Sequence, residues 1–195
     1  AKVNVMELLA RAYPYYMVVF FSIWSVLVAR SFVAAGCLPA PINRRDVVAV
    51  ACIVLAGIVL RISCISHIDM DPYGWRFMRD AVTIKNTLTT GVMDHSPLPL
   101  AIRVPGYSFL AALSFLFWGS DSLRAVSASG ILFSALTIVL LYCLAFHVAR
   151  ERFAAVAAAS MLALSGRHVM AAGQEIPLSD SIFFVTLSML LFILW

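Results

Sequence analysis

The 25 residues from Ala125 to Ala149 contain no Asp, Glu, Lys or Arg, and about 20 predominantly apolar residues suffice for a helix to cross the hydrocarbon of a bilayer. A run of that length has no place in the core of a small soluble domain. The whole chain agrees with it: 63% of the 195 residues are apolar and 12% charged, at a mean hydropathy of +0.96. Soluble domains are about half apolar and a quarter charged. Composition therefore excludes a soluble domain, a disordered chain and a collagen-like or disulfide scaffold. Cys37, Cys52, Cys64 and Cys143 stand singly, three of them inside apolar runs, where cysteine acts as a small hydrophobe. The net charge of +4 comes from scattered arginines, which excludes nucleic acid as a partner and fits positive cytoplasmic loops.

Four segments have the length and polarity of membrane helices: Tyr15 to Ala35, Val47 to Ser66, Ser122 to Ala149 and Phe153 to Ala172. A fifth begins near Asp180 and is still apolar at Trp195, so the chain is expected to be the front part of a longer protein. The fold class expected is all-α, a polytopic transmembrane helical protein with outer-face juxtamembrane helices. Residues 1–45 form an extra membrane segment and linker, and 46–195 begin the main transmembrane domain. Arg44 and Arg45 precede the second segment, and Arg150 and Arg152 fill the tight turn between the third and fourth. Both turns are expected in the cytoplasm. The stretch from His67 to Asp121, which holds five of the ten acidic residues, then lies on the outer face together with the connection from Gly173 to Ser179.

Within that outer loop, Asp71 and Pro72 form a helix-start signal and Gly91 marks the end. Phe77, Ala81, Ile84 and Leu88 recur at helical spacing, whereas Arg76, Arg79, Asp80, Thr83 and Thr87 fall on another face. This pattern predicts a helix lying in the membrane interface. A 17-residue uncharged run from Val104 to Ser120 predicts a second juxtamembrane or re-entrant helix.

Chemistry concentrates in Asp69-Met70-Asp71-Pro72-Tyr73, directly after a span. Two carboxylates there can accept a proton from a nucleophile or hold a divalent cation such as magnesium or manganese. Asp71 can equally serve as the helix cap alone. A second acidic group, Glu175 and Asp180, lies on the same side, where Ser179 or Asp180 can also cap the last helix.

The order of these features resembles the amino-terminal part of the GT-C membrane glycosyltransferases, which use sugar donors carried on polyprenyl phosphate. The resemblance runs from Val47 to Trp195. It consists of a span ending in Leu60-Arg61, the acidic motif, a helix to Gly91, Arg103-Val104-Pro105-Gly106-Tyr107, and then Phe117-Trp118-Gly119, Asp121 and Arg124. A long span, a basic turn, a further span and Asp180-Ser181 follow. Asp71-Pro72-Tyr73 with Arg76 is similar to the acidic motif of oligosaccharyltransferases. The Arg103 to Tyr107 stretch is closer to protein mannosyltransferases and lipid A aminoarabinose transferases.

The resemblance implies inverting sugar transfer to a protein or glycolipid acceptor on the outer face of a bacterial inner membrane. It makes Asp71 the first and Asp69 the second candidate for catalysis. Asp71, Asp69 and Asp180 are the candidate ligands of a divalent cation, although no cofactor is certain. Arg61, Arg103, Tyr73, Glu175 and Asp180 are the candidate substrate-binding residues. Arginine suits a departing lipid phosphate because its guanidinium donates bidentately; Arg61, near the outer end of a span, can instead snorkel to the headgroups. His67 and His168 have no partner in sequence. Two other classes remain: a non-catalytic GT-C-derived subunit of a larger membrane assembly, and an anion transporter, which predicts internal repeats that the chain lacks.

Overall fold

The structure, a computed structural model of the full chain, describes residues 5–34, 44–65, 72–91, 106–173 and 178–194. The protein is an all-α membrane protein, with no strand among the described residues. In chain order the helices are α1 (Val5–Ala34), α2 (Arg44–Ile65), α3 (Pro72–Thr90), α4 (Tyr107–Trp118), α5 (Leu123–Ala149), α6 (Arg152–Leu164), α7 (Gly166–Gly173) and α8 (Leu178–Leu194). Three stretches are long and apolar enough to cross a bilayer: Arg11–Arg30 within α1, α2, and α5. Their outward faces remain apolar, with Ile23, Leu55, Val59 and Leu132 all more than half exposed. Such a surface is stable only against lipid.

Two compact units divide the chain, one of residues Ala1–Val26 and Asp69–Ser129, the other of Leu27–Ile68 and Gly130–Trp195. In the first, α3 packs on α4 around Phe77, Ala81, Ile84, Phe109, Ala112 and Phe115. Phe77 meets Tyr107 edge-on at 5.1 Å between ring centroids. Phe21 of α1 stacks over Phe109 at 5.5 Å, and the Tyr15 hydroxyl donates to Thr87 O at 3.2 Å. The start of α3 at Pro72 and its end before Gly91 agree with the sequence signals. Gly91 adopts φ +72° and donates its N–H to Thr87 O at 3.0 Å, a left-handed helix stop that glycine takes without strain.

The polar face expected on α3 is divided. Arg76 and Arg79 are exposed, but Asp80, Thr83 and Thr87 are buried with the apolar residues. A threonine hydroxyl can satisfy itself on its own helix, as Thr87 Oγ1 does by donating to Thr83 O at 2.8 Å. Arg76 and Arg79 keep their longer, charged side chains outside that face. α4 has 12 residues, about 18 Å at 1.5 Å per residue, too short to cross and in keeping with the juxtamembrane expectation.

In the second unit, Asp46 at the start of α2 pairs with Arg152 at the start of α6, 3.4 Å apart. Further along, Arg61 of α2 meets Ser134 of α5 and Ala163 of α6. Hence α2 and α6 run parallel, with α5 antiparallel to both. Ala155, Ala159 and Ala163, all 1% exposed or less, present small side chains to Ile138 and Tyr142, with Val50, Ile53 and Val54 packed alongside. Close approach of helices over small residues is the usual packing in lipid.

The fourth expected span, Phe153 to Ala172, is not one continuous helix. Ser165 interrupts it with ψ 114°, and α6 and α7 meet at a bend of 59°. A Ser-Gly pair is a common seat of a sharp bend. Here Ser165 N donates back to Leu162 O while Ser165 O accepts from Val169 N, closing one helix and opening the next. Beyond Arg167 and His168 the chain is apolar again from Val169 to Ala172, which is why length alone predicted a single span.

Candidate functional site

A charged side chain inside a membrane helix is rare and marks a functional or structural centre. Arg61 is such a residue. It lies 15 positions after Asp46, about 22 Å along the helix, which puts it within the hydrocarbon on the far side of the second unit from Arg150 and Arg152. Its side chain is 0% exposed. The snorkelling alternative is therefore overturned, because the guanidinium turns inward and finds partners within the protein.

Those partners come from four helices, α2 itself, α5, α6 and α7. Arg61 Nε donates to Ser134 Oγ at 2.6 Å, and Nη1 donates to Gly57 O at 2.7 Å and Ala163 O at 3.3 Å. Nη2 lies 2.7 Å from His168 Nδ1. Ser134 Oγ is also 2.8 Å from the same ring nitrogen. A guanidinium can only donate, so Nδ1 accepts, the ring is neutral, and its proton sits on Nε2. That Nε2 is buried without a partner among the described residues.

All four acceptors are neutral, and no carboxylate among the described residues lies within ion-pair distance of Arg61. The break at Ser165 supplies much of the compensation. It leaves the last carbonyls of α6 without helical partners, and these form the negative end of the helix dipole, where a cation is stabilised. Gly57 makes the approach possible: a Cβ there would stand 2.9 Å from Arg61 Nη1 and 3.0 Å from Ile138 Cδ1. The sequence singled out Arg61 but gave His168 no partner and passed over Ser134. The available signal was the rarity of polar groups in apolar segments, which names the residues but not their pairing.

Of the other candidates, Asp69, Asp71, Arg103 and Glu175 lie outside the described residues. Tyr73 is in the first turn of α3. Asp180 is in the first turn of α8 and is buried at 8% exposure. No cluster of three or more His, Cys, Asp or Glu side chains suited to a metal occurs among the described residues; two of the three expected cation ligands lie outside them.

No protein-family model matches the chain, no curated protein matches it, and no solved structure does.

Proposed function

We propose that the chain belongs to a multi-pass glycosyltransferase of a bacterial inner membrane, taking a sugar from a polyprenyl-phosphate-linked donor. The observation that supports this reading best is the placement of Arg61. It is a buried guanidinium without a carboxylate partner among the described residues, at the end of the second unit remote from the Arg150–Arg152 turn. The chain passes from it within ten residues to the Asp69-Met70-Asp71 motif, and α3 begins at the next residue, Pro72. An acceptor oxygen or nitrogen attacks the anomeric carbon, its proton passes to Asp71, and the bond to the polyprenyl phosphate breaks with the electron pair leaving on the phosphate oxygen. Arginine N–H groups, and a divalent cation if one binds at Asp69, Asp71 and Asp180, offset the charge of the departing group.

One observation favours a second reading, a non-catalytic subunit of GT-C type. The four contacts of Arg61 all stay within the protein, as a purely structural role requires. Transfer of labelled sugar from a polyprenyl-phosphate donor, measured in reconstituted membranes with the whole protein, separates the two. Asparagine caps a helix about as well as aspartate, so a capping role leaves Asp71→Asn active. A proton-accepting role lowers its rate by about 10²-fold or more. Undiminished turnover in Asp71→Asn, Asp69→Asn and Asp180→Asn alike would remove these carboxylates from the mechanism, and absence of turnover in the unaltered protein would overturn the catalytic reading in favour of the subunit.

A further inference from the structure

Hydrogen-bond donors outnumber acceptors around Arg61. A guanidinium carries one N–H on Nε and two on each Nη. Here Nε donates to Ser134 Oγ, Nη1 to the carbonyls of Gly57 and Ala163, and Nη2 to His168 Nδ1. The second Nη2–H has no acceptor among the described residues. His168 Nε2–H is another such donor, buried without a partner on a residue only 4% exposed. A buried N–H left without an acceptor is rare and costs free energy, yet here the two sit on side chains joined at 2.7 Å.

Positive charge is in surplus along with the donors. Every acceptor on the guanidinium is neutral, and no carboxylate among the described residues lies within ion-pair distance of it. A water molecule offers an oxygen without charge, whereas an oxyanion offers both, and charge-assisted hydrogen bonds are the stronger kind. Depth favours an anion carried on a lipid. Arg61 precedes the end of α2 at Ile65 by about 6 Å along the axis, which sets it just below the lipid phosphates. Exposed Arg167 adds a further cation at the start of α7.

We propose that His168 is a phosphate-binding residue, its Nε2–H and the second Nη2–H of Arg61 donating to phosphate oxygens of an isoprenoid lipid. Arg61 then has two tasks: it supplies charge, and by donating to Nδ1 it fixes the tautomer that makes His168 a donor. The cover over this centre is α7, whose buried face besides His168 is only Val169, Ala171 and Ala172. The break at Ser165 joins α7 to α6 without a continuous helix, so a shift of α7 alone admits the phosphate. The naming of the lipid rests on the sugar-transfer reading; the two donors without acceptors do not.

Calorimetric titration of the purified protein in phosphatidylcholine nanodiscs with farnesyl phosphate tests it. Asparagine is the telling substitution, because its Oδ1 takes the place of Nδ1 and still accepts from Arg61, with nothing at the Nε2 position. His168→Asn should weaken binding about tenfold or more, the scale of one hydrogen bond to a charged group, while helical content and unfolding midpoint stay near those of the unaltered protein. His168→Gln, whose amide N–H reaches the Nε2 position, should recover most of the affinity. With histidine labelled by nitrogen-15, the His168 Nε2–H proton should move downfield on adding farnesyl phosphate and not on adding farnesol, a measurement that needs no variant to fold. Inorganic phosphate should compete only weakly; equal competition would make this a free-phosphate site and overturn the lipid assignment. Unchanged affinity in folded His168→Asn, or an unmoved Nε2–H resonance in the unaltered protein, would overturn the site itself. Absence of sugar transfer with this binding intact would count against the transferase reading and leave the site standing.

Discussion

Ser134→Ala removes one oxygen and almost no volume, yet that oxygen joins two members of the buried network. It accepts from Arg61 Nε at 2.6 Å and stands 2.8 Å from His168 Nδ1. Polar contacts between membrane helices average about 0.6 kcal/mol and reach about 1.7. A charged donor places this one near the top of that range, since charge-assisted bonds are about twice as strong as neutral ones. Substitution also leaves the Arg61 Nε–H buried without an acceptor, a penalty of about 1–3 kcal/mol. The expected loss is about 2 kcal/mol. Ser188→Ala is the reference, because that serine is exposed and donates to Phe184 O on its own helix at 2.8 Å, so its removal should stay within about 0.5 kcal/mol. Both are measured by reversible unfolding in mixed micelles titrated with dodecyl sulfate and followed by helical circular dichroism. A Ser134→Ala loss within about 0.5 kcal/mol of the Ser188→Ala value would refute the argument that the hydroxyl holds the guanidinium. The double variant with His168→Leu should lose less than the sum of the two singles, because both side chains act on the same arginine.

Gly57→Val should destabilise by about 1–3 kcal/mol in the same assay through overpacking, since even a Cβ would stand 2.9 Å from Arg61 Nη1 and 3.0 Å from Ile138 Cδ1. Asp121→Asn should cost about 1 kcal/mol or less, and less still at high salt. Both Asp121 carboxylate oxygens accept from Lys85 Nζ, at 2.7 and 2.6 Å, but their side chains are 22% and 40% exposed. Topology is checked with an outer-face thiol reagent that does not cross membranes. Asn86→Cys should react and Glu151→Cys should not, and reversed labelling would overturn the orientation drawn from the arginines.

Helix positions were legible in the sequence wherever a local rule decides them. The length of a predominantly apolar run located α2 and α5 to within a few residues, and Pro72 and Gly91 bounded α3 because proline and glycine act through their own backbone. The bend at Ser165 was not legible, since hydropathy averaged from Phe153 to Ala172 absorbs the short Ser165-Gly166-Arg167-His168 stretch. The buried face of α3 was missed for a related reason: spacing separates polar from apolar residues but does not tell a threonine that bonds its own helix, such as Thr87, from the exposed Arg76 and Arg79. At the candidate site Arg61 stood out in the sequence, but its partners did not. Ser134 and His168 lie 73 and 107 positions away, and only tertiary packing brings them there.

That separation has a consequence for how the protein is made. When α2 enters the membrane, neither α5 nor the α6–α7 pair has been synthesised, so Arg61 arrives without an acceptor from either. An arginine weighs about 2.5–3.5 kcal/mol against insertion at the helix centre and less toward the ends, where Arg61 lies. At about 5–20 residues per second, the 107 positions to His168 represent about 5–20 s of further translation. The surplus hydrophobicity of α2, whose mean hydropathy is 2.6, must hold the segment in the bilayer through that interval. The burial of Arg61 is thus the last step of assembly in this unit, completed when Ser134 and then His168 reach the waiting guanidinium.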